Sequence, residues 1–485
     1  MTDARRGFRS SPLSRTATGP GTLTDRARDM VERAMRAGAT EVEAIAYESD
    51  EFNVHVRLGE VEQLSEAGSR ALGLRVFVAA EGGQRTASTS TSDLSKDGVA
   101  RMVESAVALA RITGVDPFAG LPERESFGMH DPETQALYFE DATAIPPPER
   151  IAIAKRCEAA AMDFDTRIQN SKGASFDCWS AHQVMCNSRG FMGEYKRSYV
   201  GFSATPIAQD GGTMQSGFWY SNGRTARLLD DPEAVGREAA RRALRLLGAR
   251  RVPTQQVPVV FPPEASRGLM GNLLSAANGD SIYRNASMFA GKLGEQVAGE
   301  NITIVDDGTM VFDHKLPDGS TLRVGGFGTS PFDGDGLPTR RTVVIERGVL
   351  KELLLNTYTA RKLGMTSNAK ASRGLAGAPG IGGGNYFLEP GTQSHEEIVG
   401  GLKRGLLVLS TMGFGVNLVT GDYSQGASGL WIEDGEVAFP VEEITIAGNL
   451  KEMFRNVSAI GNDLEWRGSG AVPTVQIEGM TVAGS

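Results

Sequence analysis

The chain has 485 residues, of which 40% are hydrophobic and 22% charged, a balance typical of globular proteins and not of disordered or membrane-spanning chains. Since one hydrophobic core seldom serves more than about 250–300 residues, we expect two domains. Asp and Glu (59) outnumber Lys and Arg (50), and the net charge of −9 disfavours general binding to nucleic-acid phosphates.

The N-terminal residues 1–21 are basic and rich in Ser and Thr, and we expect them to form a disordered tail. A helix is predicted directly after this tail. Leu23 and Thr24 stand where a hydrophobic staple and an N-cap belong, and apolar residues recur at helical spacing up to Gly38.

Residues 22–250 repeat one pattern of helix, strands and helix. Alternating apolar and polar residues predict strands, and a proline-rich connection over residues 113–148 separates two similar units. We interpret residues 22–250 as an N-terminal α+β domain of antiparallel sheets with flanking helices, whose two units suggest an internal duplication. The predicted strands lie near residues 52–58, 72–78, 84–90, 167–179, 182–187, 191–204 and 212–220, and the later helices near 93–112, 148–163 and 231–248.

Residues 255–485 are predicted to form a C-terminal, mainly β domain. A buried-type strand at 256–261 leads through Pro262 and Pro263 into a helix that extends to about residue 278. Short strands separated by Asp-Gly and Glu-Gly turns follow to the end of the chain. This spacing predicts a largely antiparallel sheet that curls into a barrel.

The three cysteines, Cys157, Cys178 and Cys186, form no C-x-x-C pair and are odd in number. A disulfide scaffold is therefore not expected, and the composition fits a reducing cytoplasm. The longest apolar stretch, residues 406–419, is interrupted by polar residues and glycines, so no membrane span is predicted.

Motifs with a clear chemical meaning are almost absent. No two of the five histidines are three to five residues apart, so no helix can present a pair of imidazoles to zinc. His395 and Glu396 begin like a zinc-protease motif, but the second His does not follow, and we interpret this segment as the start of a surface helix. We therefore predict no catalytic residue and no metal ligand in this chain.

Residues 372–385, SRGLAGAPGIGGGN, contain six glycines in fourteen positions and are called the glycine-rich segment below. Such a density lets backbone approach another chain closely. No Gly-Lys-Ser/Thr sequence or strand–GxGxxG–helix context accompanies it, so it is not a phosphate-binding fingerprint. Either a flexible loop or a loop that lines a cavity and receives extended peptide backbone fits this composition.

Longer motifs carry a resemblance to a known family. Residues 415–466, which include GVNLVTGDYSQGASGLW, strongly resemble the end of the TldD/PmbA family, and specifically its PmbA branch, also called TldE. The resemblance continues through ASRGLAGAPGIGGGNYFLEPG, LLSAANGDSIYRNASMF at 273–289 and NSRGF at 187–191, and so covers essentially the whole chain after the tail.

The resemblance implies a subunit of a cytosolic metalloprotease, in a family also labelled modulator of DNA gyrase. In that family the TldD subunit carries a His-Glu-x-x-x-His helix that binds zinc, whereas the PmbA subunit lacks this motif and pairs with TldD around an enclosed cavity. The heterodimer trims unfolded or extended peptides, including a microcin precursor and an antitoxin. The resemblance thus implies zinc in a TldD-like partner and none in this chain.

A residue-by-residue check agrees with the branch. The metal-bearing helix should correspond to residues 266–278, SRGLMGNLLSAAN, in which Met270 and Leu274 stand where ligands would be needed. Thioether and alkyl groups cannot supply the donors that a catalytic zinc requires. We therefore expect this chain to shape a peptide-holding cavity, and the residues expected to line it and bind substrate are Gly380, Gly382, Gly383, Gly384, Asn385, Tyr386, Asp422 and Tyr423.

The expected partners are a TldD-like zinc subunit, or a second copy when the chain is alone, and an extended peptide. Neither nucleic acid nor membrane is an expected partner. Two alternatives stay open. One is a stand-alone peptidase with an unrecognised site, for instance His314 with Asp313 and Asp333, and the other is a gyrase-associated regulator.

Overall fold

The computed structural model describes residues 22–484, so the predicted tail 1–21 lies outside the described residues. Residues 22–250 are built on a single seven-stranded antiparallel sheet. The helices and strands of this part are α1 (Leu23–Arg36), β1 (Glu41–Arg57), β2 (Glu60–Ala80), β3 (Gly83–Thr91), α2 (Lys96–Ile112), α3 (Pro132–Gln135), α4 (Asp141–Ala144), α5 (Pro147–Met162), β4 (Ile168–Asn187), β5 (Met192–Asp210), β6 (Thr213–Ser216), β7 (Trp219–Gly223) and α6 (Pro232–Leu244).

The two predicted helix–strands–helix units share this sheet. Its strand order is β3-β2-β1-β4-β5-β6, with β7 also paired to β5, so β1 and β4 join the units at the centre. Apolar residues of α1 and α2 pack on the strands of the first unit, and those of α5 and α6 pack on the second. The prediction of antiparallel sheet with flanking helices is confirmed, with one continuous sheet in place of two.

The start of α1 corrects one detail of the prediction. The N-cap is Thr22, not Thr24, because the Thr22 side chain accepts from the backbone N–H of Asp25 while the Asp25 carboxylate accepts from Thr22. This reciprocal arrangement is a capping box with Asp at its third position.

The long strands extend well beyond their predicted bounds. Residues 41–46 are buried on both faces and residues 60–66 are exposed on both faces, so neither shows the alternation of polarity that marks a half-buried strand. β4 is one strand where two were predicted, since Ser180 and Ala181 stay paired with β1 on one side and β5 on the other.

The second half contains a closed barrel. Its elements are β8 (Gln255–Phe261), α7 (Pro263–Ala276), α8 (Gly279–Tyr283), β9 (Ile304–Asp307), β10 (Val311–Lys315), β11 (Thr321–Gly325), β12 (Arg341–Glu346), β13 (Val349–Leu350), α9 (Thr357–Leu363), β14 (Ala371–Ser372), β15 (Gly380–Ile381), β16 (Asn385–Leu388), α10 (His395–Gly400), β17 (Arg404–Met412), β18 (Asp422–Glu433), β19 (Glu436–Asn449), α11 (Leu450–Met453), β20 (Val457–Ile460), β21 (Gly470–Ala471) and β22 (Val475–Ala483).

The barrel strands follow the order β19-β18-β17-β8-β22, and β22 pairs back to β19. All pairs except β8–β17 are antiparallel, so the predicted largely antiparallel barrel is confirmed. A second, five-stranded sheet has the order β13-β12-β9-β16-β21, and its strand β16 begins at Asn385, the last residue of the glycine-rich segment. Within residues 22–484, no helix has the length and apolar character needed to cross a bilayer.

Candidate functional site

Helix α7 is the segment in which the family resemblance places zinc ligands in the catalytic subunit. Met270 is fully buried and packs in the barrel core with Leu273, and the partly buried Leu274 lies against the same core. These side chains fill apolar space and offer no nitrogen, oxygen or thiolate donor. Across the described chain, no three His, Cys, Asp or Glu residues are close enough together to hold a metal ion. The residues present therefore do not fit a catalytic zinc.

The cysteines are also unsuited to act as catalytic nucleophiles. All three are free and buried in the cores of the N-terminal sheet. Burial raises the pKa of Cys157 and of Cys186 to about 12, and it also raises the pKa of Cys178. Because only the thiolate is nucleophilic, these thiols are inert at neutral pH.

The residues of the alternative set, His314, Asp313 and Asp333, belong to different parts of the fold, a strand for the first two and a loop for the third. Asp313 and His314 are adjacent on β10 and therefore point to opposite faces of the hairpin. Both carboxylate oxygens of Asp333 accept hydrogen bonds from backbone amides, Oδ1 from Asp335 and Leu337 and Oδ2 from Ala371. Asp333 thus supports loops of its own domain.

His395 begins a surface helix, as the sequence predicted. Ser394 and Glu397 form a capping box at the start of α10. The His395 Nδ1 atom lies 2.9 Å from the Thr474 hydroxyl, which in turn donates to Asp463. This chain of hydrogen bonds fixes the helix on the barrel, and among the described residues no group of three His, Cys, Asp or Glu side chains that could hold a metal forms around it.

A cavity of about 240 Å³ lies between the N-terminal sheet and the second half of the chain. One wall belongs to the sheet and includes apolar and polar side chains of β1, β4 and β5. The opposite wall includes part of the glycine-rich segment. The residues that line the cavity include Met185, Tyr195, Arg197, Phe332, Lys370, Arg373, Gly382, Gly383 and Gly384.

Close approach of backbone explains why glycines are needed in this wall. A Cβ atom on Gly384 would lie 2.5 Å from the backbone nitrogen of Gly308, and one on Gly383 would lie 2.5 Å from an oxygen of Asp306. Real Cβ atoms do not come so near to backbone, so a side chain at Gly384 would force the segment outward. The segment is therefore fitted to β9 and is not simply a loose loop.

A buried ion pair holds this wall in place. The ammonium group of Lys370 is in direct contact with Asp306 Oδ1, and Asp306 Oδ2 accepts a hydrogen bond of 2.7 Å from the backbone N–H of Gly384. Lys370 also donates to the carbonyl of Arg340. Charges that are this deeply buried are stable only when each has such partners.

Asn385 lies behind the cavity wall and is fully buried. Its Nδ2 donates to the Asp307 carbonyl and to Thr329, and its Oδ1 accepts from the backbone N–H of Gly328. These bonds position neighbouring backbone, so Asn385 acts on the cavity through other residues.

The other residues predicted to line a cavity are dispersed. Gly380 and Tyr386 flank the lining glycines but do not belong to the cavity wall, and burial raises the pKa of Tyr386. Asp422 and Tyr423 lie at the start of β18, where Asp422 accepts hydrogen bonds from Thr420 and Asn449. Tyr423 is buried in the barrel core, which raises its pKa to about 12. Substrate binding by these residues stays a prediction.

A charged cluster that the sequence analysis did not identify joins the two halves beside the cavity. Glu43 of β1 accepts a hydrogen bond of 3.1 Å from Arg75 of β2 and lies 2.6 Å from Arg373 of the glycine-rich segment. Burial and the neighbouring Asp335 raise the pKa of Asp333 to about 7, and burial also raises the pKa of Asp335. The sequence signal that could have revealed this cluster is Glu43, a charged residue next to the apolar run at the start of β1.

Comparison with known proteins gives matches along most of the chain. Models described as PmbA/TldA metallopeptidase domain 1, central domain and C-terminal domain match residues 42–110, 140–247 and 254–484. Metalloprotease PmbA of Escherichia coli O157:H7 is 36% identical over 433 residues, which cover 89% of this chain and 90% of that protein. A PmbA homologue of Haemophilus influenzae is 32% identical, covering 94% of each chain.

Solved structures share the fold. A Bacteroides thetaiotaomicron protein, named as a modulator of DNA gyrase, superimposes with a TM-score of 0.84 at 25% identity and covers 95% of this chain and 98% of its own. TldE of Thermococcus kodakarensis superimposes with a TM-score of 0.81 at 22% identity over 95% of this chain and all of its own, a likeness of fold.

Proposed function

Because this chain belongs to the PmbA/TldD metallopeptidase family, we propose that it is a PmbA/TldE-type subunit of a two-subunit metalloprotease and has no zinc site of its own. In this proposal a TldD-like partner supplies the zinc and the hydrolytic chemistry. The present chain supplies part of the wall of the chamber that holds an extended, unfolded peptide. The free, buried cysteines support a cytoplasmic location.

The observation that carries the proposal is the chemistry of α7. Hydrolysis of a peptide by zinc requires three donor side chains and an open position for water. The corresponding helix here presents Met270 and Leu273 to an apolar core, and none of its buried residues is a His, Cys, Asp or Glu. A family member built in this way needs a catalytic partner.

The contribution of this chain to peptide binding rests on the cavity wall. Gly382, Gly383 and Gly384 contribute bare backbone to this wall, and the Lys370–Asp306 pair keeps that backbone in position. Recognition through backbone is independent of side-chain sequence, which suits a protease that trims unfolded peptides.

The test uses this chain and the TldD-like protein of the same organism. Each is purified alone and as a mixture, zinc is measured by mass spectrometry, and an unfolded peptide is digested with each sample. We expect a stable complex, zinc only in the TldD-like subunit, and cleavage that appears only in the mixture and is lost on chelation. Stoichiometric zinc in this chain, together with cleavage by this chain alone, would support the stand-alone peptidase instead.

The name given to the Bacteroides structural relative keeps a gyrase-associated role as the second candidate. The net charge of −9 is unfavourable for direct contact with DNA. Association with gyrase, or salt-sensitive binding to DNA at physiological ionic strength without a partner protein, would favour this role over the protease subunit.

A further inference from the structure

Strand β2 has a free edge at residues 60–71. The strand pairs with β1 along its length, but β3 covers its other side only from Leu72 onward. Among residues 22–484, no strand or loop pairs with the outer side of residues 60–71. At the usual rise per residue this edge is about 40 Å long and presents a row of backbone N–H and C=O groups to solvent.

The free edge is held in a fixed conformation. The β1–β2 hairpin turns at Leu58 and Gly59, and both backbone N–H groups donate to the carboxylate of Glu158 at 3.0 and 2.9 Å. Glu158 belongs to α5 and is buried, so the turn is tied to the helical layer. An ordered edge loses little conformational entropy when another strand is added to it.

Exposed apolar side chains accompany this edge. Leu58, Val61 and Leu64 are all exposed, and Leu58 has the left-handed φ of 51°, which is costly for a leucine. Leu64 lies opposite Val54, so it continues the sheet face that is buried under the helices of the second unit. The edge also lacks the Lys and Pro residues with which proteins commonly protect exposed edges.

The charge of the edge indicates the kind of partner. Glu62 and Arg70 have ion partners on β1, whereas Glu60 and Glu66 have none among the described residues. Residues 60–71 carry three glutamates and one arginine, so two copies of this edge paired together would bring two net negative surfaces into contact. A strand that carries Lys or Arg opposite Glu60 and Glu66 would neutralise them.

We propose that residues 60–71 of β2 are the surface on which a basic edge strand of the partner subunit adds, which continues the seven-stranded sheet across the subunit interface. This inference rests on the proposed two-subunit assembly and identifies the strand through which it forms. Main-chain hydrogen bonds would supply affinity, and Leu64 with the two glutamates would supply specificity.

The test measures the affinity of the full chain for its TldD-like partner with two variants of the edge, Leu64→Lys and the double variant Glu60→Lys/Glu66→Lys. The matched control is Leu109→Lys on α2, since Leu109 is 47% exposed and Leu64 is 49% exposed. We expect the edge variants to weaken the complex at least tenfold and the control less than twofold. The melting temperature of each isolated variant shows that the fold is intact.

Four results would overturn the inference. Edge variants that bind the TldD-like partner like the wild type would refute residues 60–71 as the docking surface, but they would leave the proposed two-subunit function intact. Self-association of this chain, abolished by the same variants, would assign the edge to a second copy. An intact complex with impaired peptide binding would assign it to substrate. If the wild-type chains form no complex, the proposed function and the inference both fail.

Discussion

The Lys370 ammonium and the Asp306 carboxylate form an ion pair that is almost completely buried, with side chains 2% and 1% exposed. The pair links the residue that directly precedes β14 to β9, and through the Gly384 N–H it also holds the glycine-rich segment itself. The wall of the cavity therefore depends on two residues that stand 64 positions apart in the chain.

Removal of one partner of this pair should destabilise the protein strongly. Lys370→Met leaves Asp306 as an uncompensated buried charge, and we expect a loss of about 3–5 kcal/mol in the free energy of unfolding. Urea unfolding measures the change. The control is Arg251→Ala, which breaks the exposed pair with Glu443 and should cost less than about 1 kcal/mol. Equal effects of the two variants would contradict the structural role of Lys370.

Substitution of Gly384 should damage the cavity wall. In Gly384→Ala the new Cβ would lie 2.5 Å from the Gly308 nitrogen, so the segment must shift, at a cost of about 1–3 kcal/mol. We also expect peptide cleavage by the two-subunit mixture to fall at least tenfold. Gly374→Ala is the matched control in the same segment, because its Cβ would meet no atom within 4 Å. A similar loss in both variants would show that close approach is not the cause.

The Asp333–Asp335 pair should make stability depend on pH. Because the pKa of Asp333 is raised to about 7 in the folded chain, the native state binds a proton that the unfolded chain releases above about pH 4. Stability should therefore fall as the pH rises from about 4 to 7, by up to about 1.4 kcal/mol per pH unit. Urea unfolding at several pH values gives this slope.

The control for this pH dependence is Asp333→Asn, which cannot ionise. We expect the decrease in stability between pH 4 and 7 to be smaller in the variant than in the wild type, whatever the difference in their absolute stability. An identical slope in both proteins would assign the titration to other groups.

The cysteines should be protected in the native state. Because burial raises the pKa of Cys157 and Cys186 to about 12, we expect no reaction of these thiols with a thiol reagent at pH 8 until the chain unfolds. Labelling followed by mass spectrometry, with and without denaturant, measures this. Rapid labelling of Cys157 in the folded protein would contradict the packing of α5 on the sheet.

Much of the architecture could be predicted because local patterns report burial. The helix of residues 96–112, the helix after Pro262 and the turns between the barrel strands follow from spacing and turn residues. The full extent of β1 and β2 could not be predicted. Residues 41–46 of β1 are buried on both faces and residues 60–66 of β2 are exposed on both faces. Neither segment therefore shows the alternation of apolar and polar residues from which a strand is predicted.

The candidate site divides in a similar way. The glycine-rich segment was noticed from its composition, and three of its glycines line the cavity. Asp422 and Tyr423 came from the same family motifs but lie at the start of a barrel strand, outside that cavity. Motifs identify a family, whereas the distance between two motifs in space depends on how the sheets are assembled.

The amino-acid sequence by itself determined the family, the α+β class and the absence of His, Cys, Asp and Glu from residues 266–278, because each depends on residue identity along a continuous segment. Only the tertiary structure decided which glycines face the cavity, that Glu43 meets Arg373, and that β2 has an open edge. These features arise from pairing between residues far apart in the chain, and such pairing is settled by the packing of whole sheets and not by any local pattern.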